Sequence, residues 1–145
     1  MASNDHLYQR CGYRNIRMGA AMNLAYLATI LKSAFGFSVS KKIFSVTTTS
    51  SLAINSDIYS IAQVTALSEA MNVPNPTGTP ANRQGLQISY KGDATPRVIS
   101  HGSEFRAASD IALPVITTAS KWTHEFYLRN STDSKWDLVG VRIMS

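Results

Sequence analysis

The 145-residue chain is one domain's length with room for an appendage, and 44% of it is hydrophobic against 16% charged. That hydrophobic content excludes a chain too polar to bury a core. The low charge is made up by Ser, Thr and Asn, which favour strands and turns over exposed helices. The net charge of +5 lies wholly in residues 1–42, where six basic residues face the single acid Asp5, whereas residues 43–145 hold eight residues of each sign. A basic arm on a neutral body predicts docking to an acidic surface. Cys11 is the lone cysteine, which excludes an internal disulfide and fits a free thiol made in a reducing cytosol.

Residues 1–17, "MASNDHLYQRCGYRNIR", have no periodicity. A polar terminus frays unless something holds it, and an arm with Leu7, Tyr8, Arg10, Tyr13, Arg14 and Arg17 is expected to lie on a neighbouring molecule. A helix is predicted from Asn15, a capping residue, to Gly36, where a left-handed C-terminal residue is expected. Ala20, Leu24, Leu27, Leu31 and Ala34 form its apolar stripe, and Met18, Met22, Ala25, Tyr26 and Ala28 leave little of it suited to water. "MGAAMNLAYLATIL" (18–31) is 14 uncharged residues behind three arginines, which imitates a signal peptide. It falls short of the roughly 20 residues that span a bilayer. It is therefore read as a retained helix buried against protein, with no membrane partner. Lys41 and Lys42 close this first part. Its expected partner contacts are Arg10, Tyr13, Arg14, Arg17, Leu24, Leu27, Leu31, Lys41 and Lys42.

After Lys42 the pattern turns to strands. "IFSVTTTSSLAI" (43–54) is β-branched and alternating, and "IYSIAQVTALSEAM" (58–71) starts as a strand, though its Ala-rich second half could pass for helix. "GLQISYK" (85–91) puts Leu86, Ile88 and Tyr90 on one face and Gln87, Ser89 and Lys91 on the other. A tight Gly92-Asp93 turn predicts a hairpin with "PRVIS" (96–100). "IALPVITTAS" (111–120) reads as a strand whose Pro114 suits an edge or bulge. "KWTHEFYLRN" (121–130) and "KWDLVGVRIM" (135–144), joined by "STDS", predict a second hairpin. Trp122, His124, Phe126 and Leu128 share a face of its first strand. In its second, Trp136 and Leu138 lie opposite Val139, Val141 and Ile143. Short strands with turns at this spacing predict an antiparallel β-sandwich or jelly roll. The fold class is mainly β, with an arm and one α-helix (1–42) ahead of the body (43–145).

No reactive constellation is legible. His6 lies in the arm, His101 beside Gly102 in a turn, and His124 among aromatics, where a packed, hydrogen-bonded ring is expected. His101 with Glu104 can be written as an acid–base pair, but the pattern is that of a surface loop. The acids of the body are scattered singly, Gly78, Gly85 and Gly92 open no helix, and no nucleophile elbow occurs. These readings predict no catalysis, no metal and no cofactor. Three arginines interleaved with Tyr8 and Tyr13 are weak beside a nucleic-acid arm, because a mainly apolar helix follows them.

Residues 57–143 resemble a module that recurs in tailed-bacteriophage virion proteins, some small and free-standing, some the ends of tail fibres. The matching pieces are "SDIYSIAQVTALSEAMNVPNPTGTP", "QGLQISYKGDATPRVIS", "EFRAASDIALP" with "TTASK", and "LRNSTDSKWDLVGV". The Asn-Pro-Thr-Gly-Thr-Pro turn and the closing Asp-x-Lys-Trp-Asp-x-Val are the most specific of them. The chain departs from the module's usual Asp-Gly-Gln at "NRQG" and from Asp-Asn-Gly at "KGD", both in turns. The resemblance implies a β-sandwich-like body, no catalysis and a place on the outside of a phage particle. Because 145 residues leave no room for a fibre shaft, it implies a capsid decoration (cement) or head-fibre protein. Its basic arm would lie on the major capsid protein or another virion protein, the particle being assembled in the host cytoplasm. The alternative is a tail-fibre or tail-adaptor protein that contacts the host surface. Trp122, Phe126, Trp136 and Leu138 are candidate subunit contacts of a homo-oligomer, a trimer by analogy with such proteins.

Overall fold

A computed structural model of the chain describes residues 42–145. The predicted arm and helix, with His6, Cys11 and the contacts proposed from Arg10 to Lys41, lie outside the described residues. Eight strands run through the rest: β1 (Lys42–Val46), β2 (Tyr59–Leu67), β3 (Met71–Val73), β4 (Gly85–Gly92), β5 (Ile99–His101), β6 (Phe105–Arg106), β7 (Trp122–Asn130) and β8 (Lys135–Met144). They form a six-stranded sheet in the order β1-β2-β4-β7-β8-β6 and a two-stranded sheet, β3-β5.

The described residues are mainly β, as expected, but the sheets are mixed and not antiparallel. β1 runs parallel to β2, β2 to β4, β3 to β5 and β6 to β8; only β4-β7 and β7-β8 are antiparallel. Parallel neighbours need a crossover, commonly of a dozen or more residues, and residues 47–58 and 68–84 supply two. Neither is helical. The second leaves the large sheet to form β3 in the other layer, and then returns as β4.

Alternation decides which side of each strand is buried. Ala62 and Val64 of β2, Leu86, Ile88 and Tyr90 of β4, Tyr127 of β7, and Trp136 and Leu138 of β8 meet Met71 and Val73 of β3 and Ile99 of β5 in one apolar cluster. The predicted division of 85–91 into two faces holds. The hairpin of β7 and β8 holds too, with a bulge between Phe126 and Tyr127. Asn130 braces its loop: the side-chain carbonyl accepts from the backbone N–H groups of Thr132 and Asp133 at 3.1 and 3.2 Å.

Three predicted features are corrected. The stretch 43–54 is a strand only to Val46. Beyond it the chain follows β3, Leu52 N–H donating to Asn72 at 2.9 Å, while Leu52 and Ile54 turn into the core. The segments 85–91 and 96–100 do not pair with each other, since β4 already has β2 and β7 on its two edges. The Asp93 carboxylate accepts from Thr95 N–H and from Arg97 Nε, at 2.9 and 3.1 Å, which closes a local loop and sends the chain to the second sheet. Residues 111–120 form no strand, because Pro114 lacks a donor. What pairing there is runs along residues 97–99, through an isolated bridge between Val98 and Ile116 and a hydrogen bond from Arg97 N–H to the buried Thr117 hydroxyl.

Gly102 follows β5 where the two chain segments approach most closely. A β-carbon there would sit 2.6 Å from the Asn75 backbone nitrogen, against main chain that cannot swing aside. Gly102→Ala is expected to lower stability by about 1–3 kcal/mol through overpacking. Gly85→Ala, which meets nothing within 4 Å, should stay within about 0.5 kcal/mol of the parent. Paired thermal melts of the two variants check this.

Candidate functional site

The chemistry of the body divides between the two faces of β7. Inward from this strand point Thr123, Glu125 and Tyr127, all buried; outward lie Trp122, His124 and Phe126, partly exposed. The larger apolar set therefore faces away from the core. Sequence alternation shows that two sets exist, but a Thr-x-Glu-x-Tyr face gives little sign of being the inner one. It becomes so because β4 brings Tyr90 opposite Thr123, and β5 brings a histidine from the other sheet.

Glu125 is wholly buried and all its hydrogen bonding is internal. Tyr90 Oη donates to Oε1 at 2.7 Å, Tyr127 Oη to Oε2 at 2.6 Å, and His101 Nε2 meets Oε2 at 2.9 Å. The His101 side chain is 4% exposed and the Glu125 side chain 0%. Phe105 packs edge-on between the His101 and Tyr127 rings, with centroids 5.5 and 5.0 Å away. Burial first, and then the charge of Glu125, push both tyrosine hydroxyls far above their ordinary pKa, so they remain donors. Glu, His and two Tyr would make a plausible acid–base set if a substrate could reach them. Here the groups are closed over, and the cluster cross-ties β5 of the small sheet to β4 and β7 of the large one. A buried carboxylate held this way fixes how two layers sit, because any other arrangement strands a charge.

His101, expected in a surface turn, is instead the last residue of β5 and is buried against Glu125, and Glu104 does not meet it. Glu104 accepts from Arg129 NH1 at 2.7 Å, and the Arg129 guanidinium lies 5.6 Å from the centre of the Trp136 ring. Near the same loop end of the β7-β8 hairpin, Arg106 donates to Asp137 at 2.7 Å and to Asp133 at 3.0 Å. Its hydrogen bond holds the Asp137 carboxyl below the ordinary range. Among the described residues no group of three or more His, Cys, Asp or Glu could hold a metal ion. No described helix is long and apolar enough to cross a membrane.

Among the described residues nothing packs over the outward face of the large sheet. His124 is hydrogen-bonded as expected, its Nδ1 lying 2.9 Å from Ser89 Oγ, and its ring stacks on Trp122 at 5.9 Å and 4°. Gln87 Nε2 donates to the same Ser89 oxygen at 2.8 Å. Of the candidate subunit contacts, Trp122 and Phe126 lie on this accessible face. Trp136 and Leu138 do not: they are 0% and 2% exposed in the core of the body, which leaves no surface to offer a neighbour. Val139 lies opposite Leu138 as predicted and is 51% exposed beside Phe126 and Leu128. The bulge that leaves it unpaired reverses the parity beyond it, so that Val141 and Ile143, predicted to share its side, pair with the inward-facing Glu125 and Thr123. Sequence reasoning missed Glu125. Its one signal was a carboxylate two residues from a tyrosine, on the strand face opposite Trp122 and Phe126.

No family model matches the chain. No curated protein matches it. Among solved structures, a chain described as "Structure of a chaperone-substrate complex" aligns with 70% of this chain at 11% identity and a TM-score of 0.42, and the present chain spans 17% of that chain's length.

Proposed function

We propose that the chain is a structural protein of a bacteriophage virion, a capsid decoration (cement) or head-fibre protein without catalytic activity. Residues 1–42 dock on the major capsid protein or another virion protein, and the β-sandwich body, in one copy of a homotrimer, faces outward. The observation that carries this reading is the partition of charge. The whole excess of +5 lies in a segment that also bears an apolar stripe, while the body is neutral. Long-range attraction to an acidic shell would steer the arm, and burial of Leu24, Leu27 and Leu31 would supply affinity at about 25 cal/mol per Å². The closed Glu125 cluster is consistent with a body whose buried polar groups serve architecture.

Deletion of residues 1–42 is expected to leave a soluble β body that no longer cosediments with capsids assembled without this chain, whereas the full chain saturates them. A truncated body that still decorates such capsids fully would overturn the proposal. Labelling of the full chain at the tail, with cell binding by the body, would instead support a tail-fibre or tail-adaptor role.

A further inference from the structure

Pairing across β1, β2, β4, β7 and β8 aligns Ser45, Gln63, Ser89, His124 and Arg142 in one row on the outward face. At about 4.8 Å per strand this row is roughly 19 Å long. Around it lies a shallow depression of about 380 Å³. Its polar lining is Gln63, Gln87, Ser89 and His124, and its apolar lining is Ile43, Ile61, Trp122 and Met144.

The polar groups are organised among themselves yet incompletely matched. Ser89 Oγ accepts from Gln87 Nε2 at 2.8 Å and shares a hydrogen bond with His124 Nδ1 at 2.9 Å, which leaves the other ring nitrogen, Nε2, facing the depression. Gln87 Oε1, His124 Nε2 and the whole Gln63 amide have no hydrogen-bond partner among the described residues. Trp122 is held by its stack on His124, so its ring is set before any ligand arrives.

We propose that this depression binds an oligosaccharide. A sugar hydroxyl is both donor and acceptor, and the free groups here are of both kinds: an amide with both, a carbonyl oxygen and an imidazole nitrogen. The C–H faces of a pyranose match the indole and the aliphatic walls, the mixture of apolar lining and few convergent polar groups typical of small-ligand sites. No carboxylate lines the depression, and Arg142 stands at the end of the row, so acidic sugars are admitted as well as neutral ones. An extended peptide fits less well. β2, β4 and β7 are paired on both edges, so the floor offers no backbone groups for strand addition. A second copy laid face to face about a twofold axis along the row would set Gln63, His124 and Arg142 against their own counterparts. This inference does not rest on the virion reading, because it concerns the body alone.

The test is a titration of the isotope-labelled full chain with neutral hexose oligosaccharides and, separately, with carboxylate-bearing ones, followed by NMR. The expected result is saturable shifts at millimolar concentration or below, centred on the Trp122 indole N–H and the side-chain amides of Gln63 and Gln87. Trp122→Ala and Gln87→Ala should each weaken binding at least about tenfold, and Trp122→Tyr should keep most of it. The proposal is overturned if neither sugar class moves those signals, or if both alanine variants fold and bind as the parent does. It is equally overturned if the same signals respond to an extended peptide or to protein dilution and not to sugar.

Discussion

Glu125→Ala is expected to lower the stability of the β body by about 3–5 kcal/mol, since each buried polar group left unsatisfied costs about 1–3 kcal/mol. The reason is what stays behind. Without the carboxylate, Tyr90 and Tyr127 keep buried hydroxyls with no acceptor, and His101 keeps a ring nitrogen facing a void. Removing one donor is milder: Tyr90→Phe or Tyr127→Phe should each cost about 1.5–3 kcal/mol, the span for a hydrogen bond to a charged group. Glu125→Gln should fall between the parent and alanine, since one oxygen still accepts while the new N–H₂ faces a tyrosine hydroxyl or His101. Urea unfolding reads the series as midpoint shifts at constant slope. A Glu125→Ala loss below about 1 kcal/mol would mean that the cluster does not tie the two layers together.

Trp136→Ala is expected to cost a similar amount, about 3–5 kcal/mol, by opening a cavity where the indole now lies at 0% exposure. A domain of this size loses roughly 4–8 °C of Tm for each kcal/mol, so the effect is large in a thermal scan. The companion variant separates packing from polarity. Trp136 Nε1 is buried without an acceptor. Trp136→Phe removes that unmatched donor, whose burial costs about 1–3 kcal/mol, and offsets part of the lost volume. Phenylalanine should therefore be far better tolerated than alanine. If the two substitutions cost the same, the indole N–H is satisfied by water or by a shift of the loop, and the core at Trp136 is looser than described.

Some of this was legible from residues alone. Leu86, Ile88 and Tyr90 alternate with Gln87, Ser89 and Lys91, and side-chain direction in a strand has a period of two whatever the strand pairs with. The hairpin of β7 and β8 was legible because a short polar loop between two long strands permits few other arrangements. His124 was readable as a packed ring from its aromatic neighbours. The location of the net charge is arithmetic on the sequence.

Other features belong to tertiary structure. The partner of β4 was misread because Gly92-Asp93 looks like a hairpin turn, while the energy that chooses a strand's neighbour comes from burying both of its edges. His101 was read as a surface-loop residue because the neighbouring Gly102 signals a turn, while the stacking of two sheets buries it against Glu125. Trp136 and Leu138 look like surface anchors until Leu138 is found paired with the inward-facing Tyr127, and Val141 and Ile143 are parted from Val139 by the bulge, since one extra residue reverses the side of those that follow it. Composition and periodicity thus determined that the body is built of strands, which residues share a side wherever no bulge intervenes, and where the charge lies, because these depend only on neighbours along the chain. Which side became the core, which strands run parallel, and that Glu125 sits sealed between two tyrosines and a histidine were decided by folding alone, because contacts between residues far apart in sequence outweigh any preference written locally.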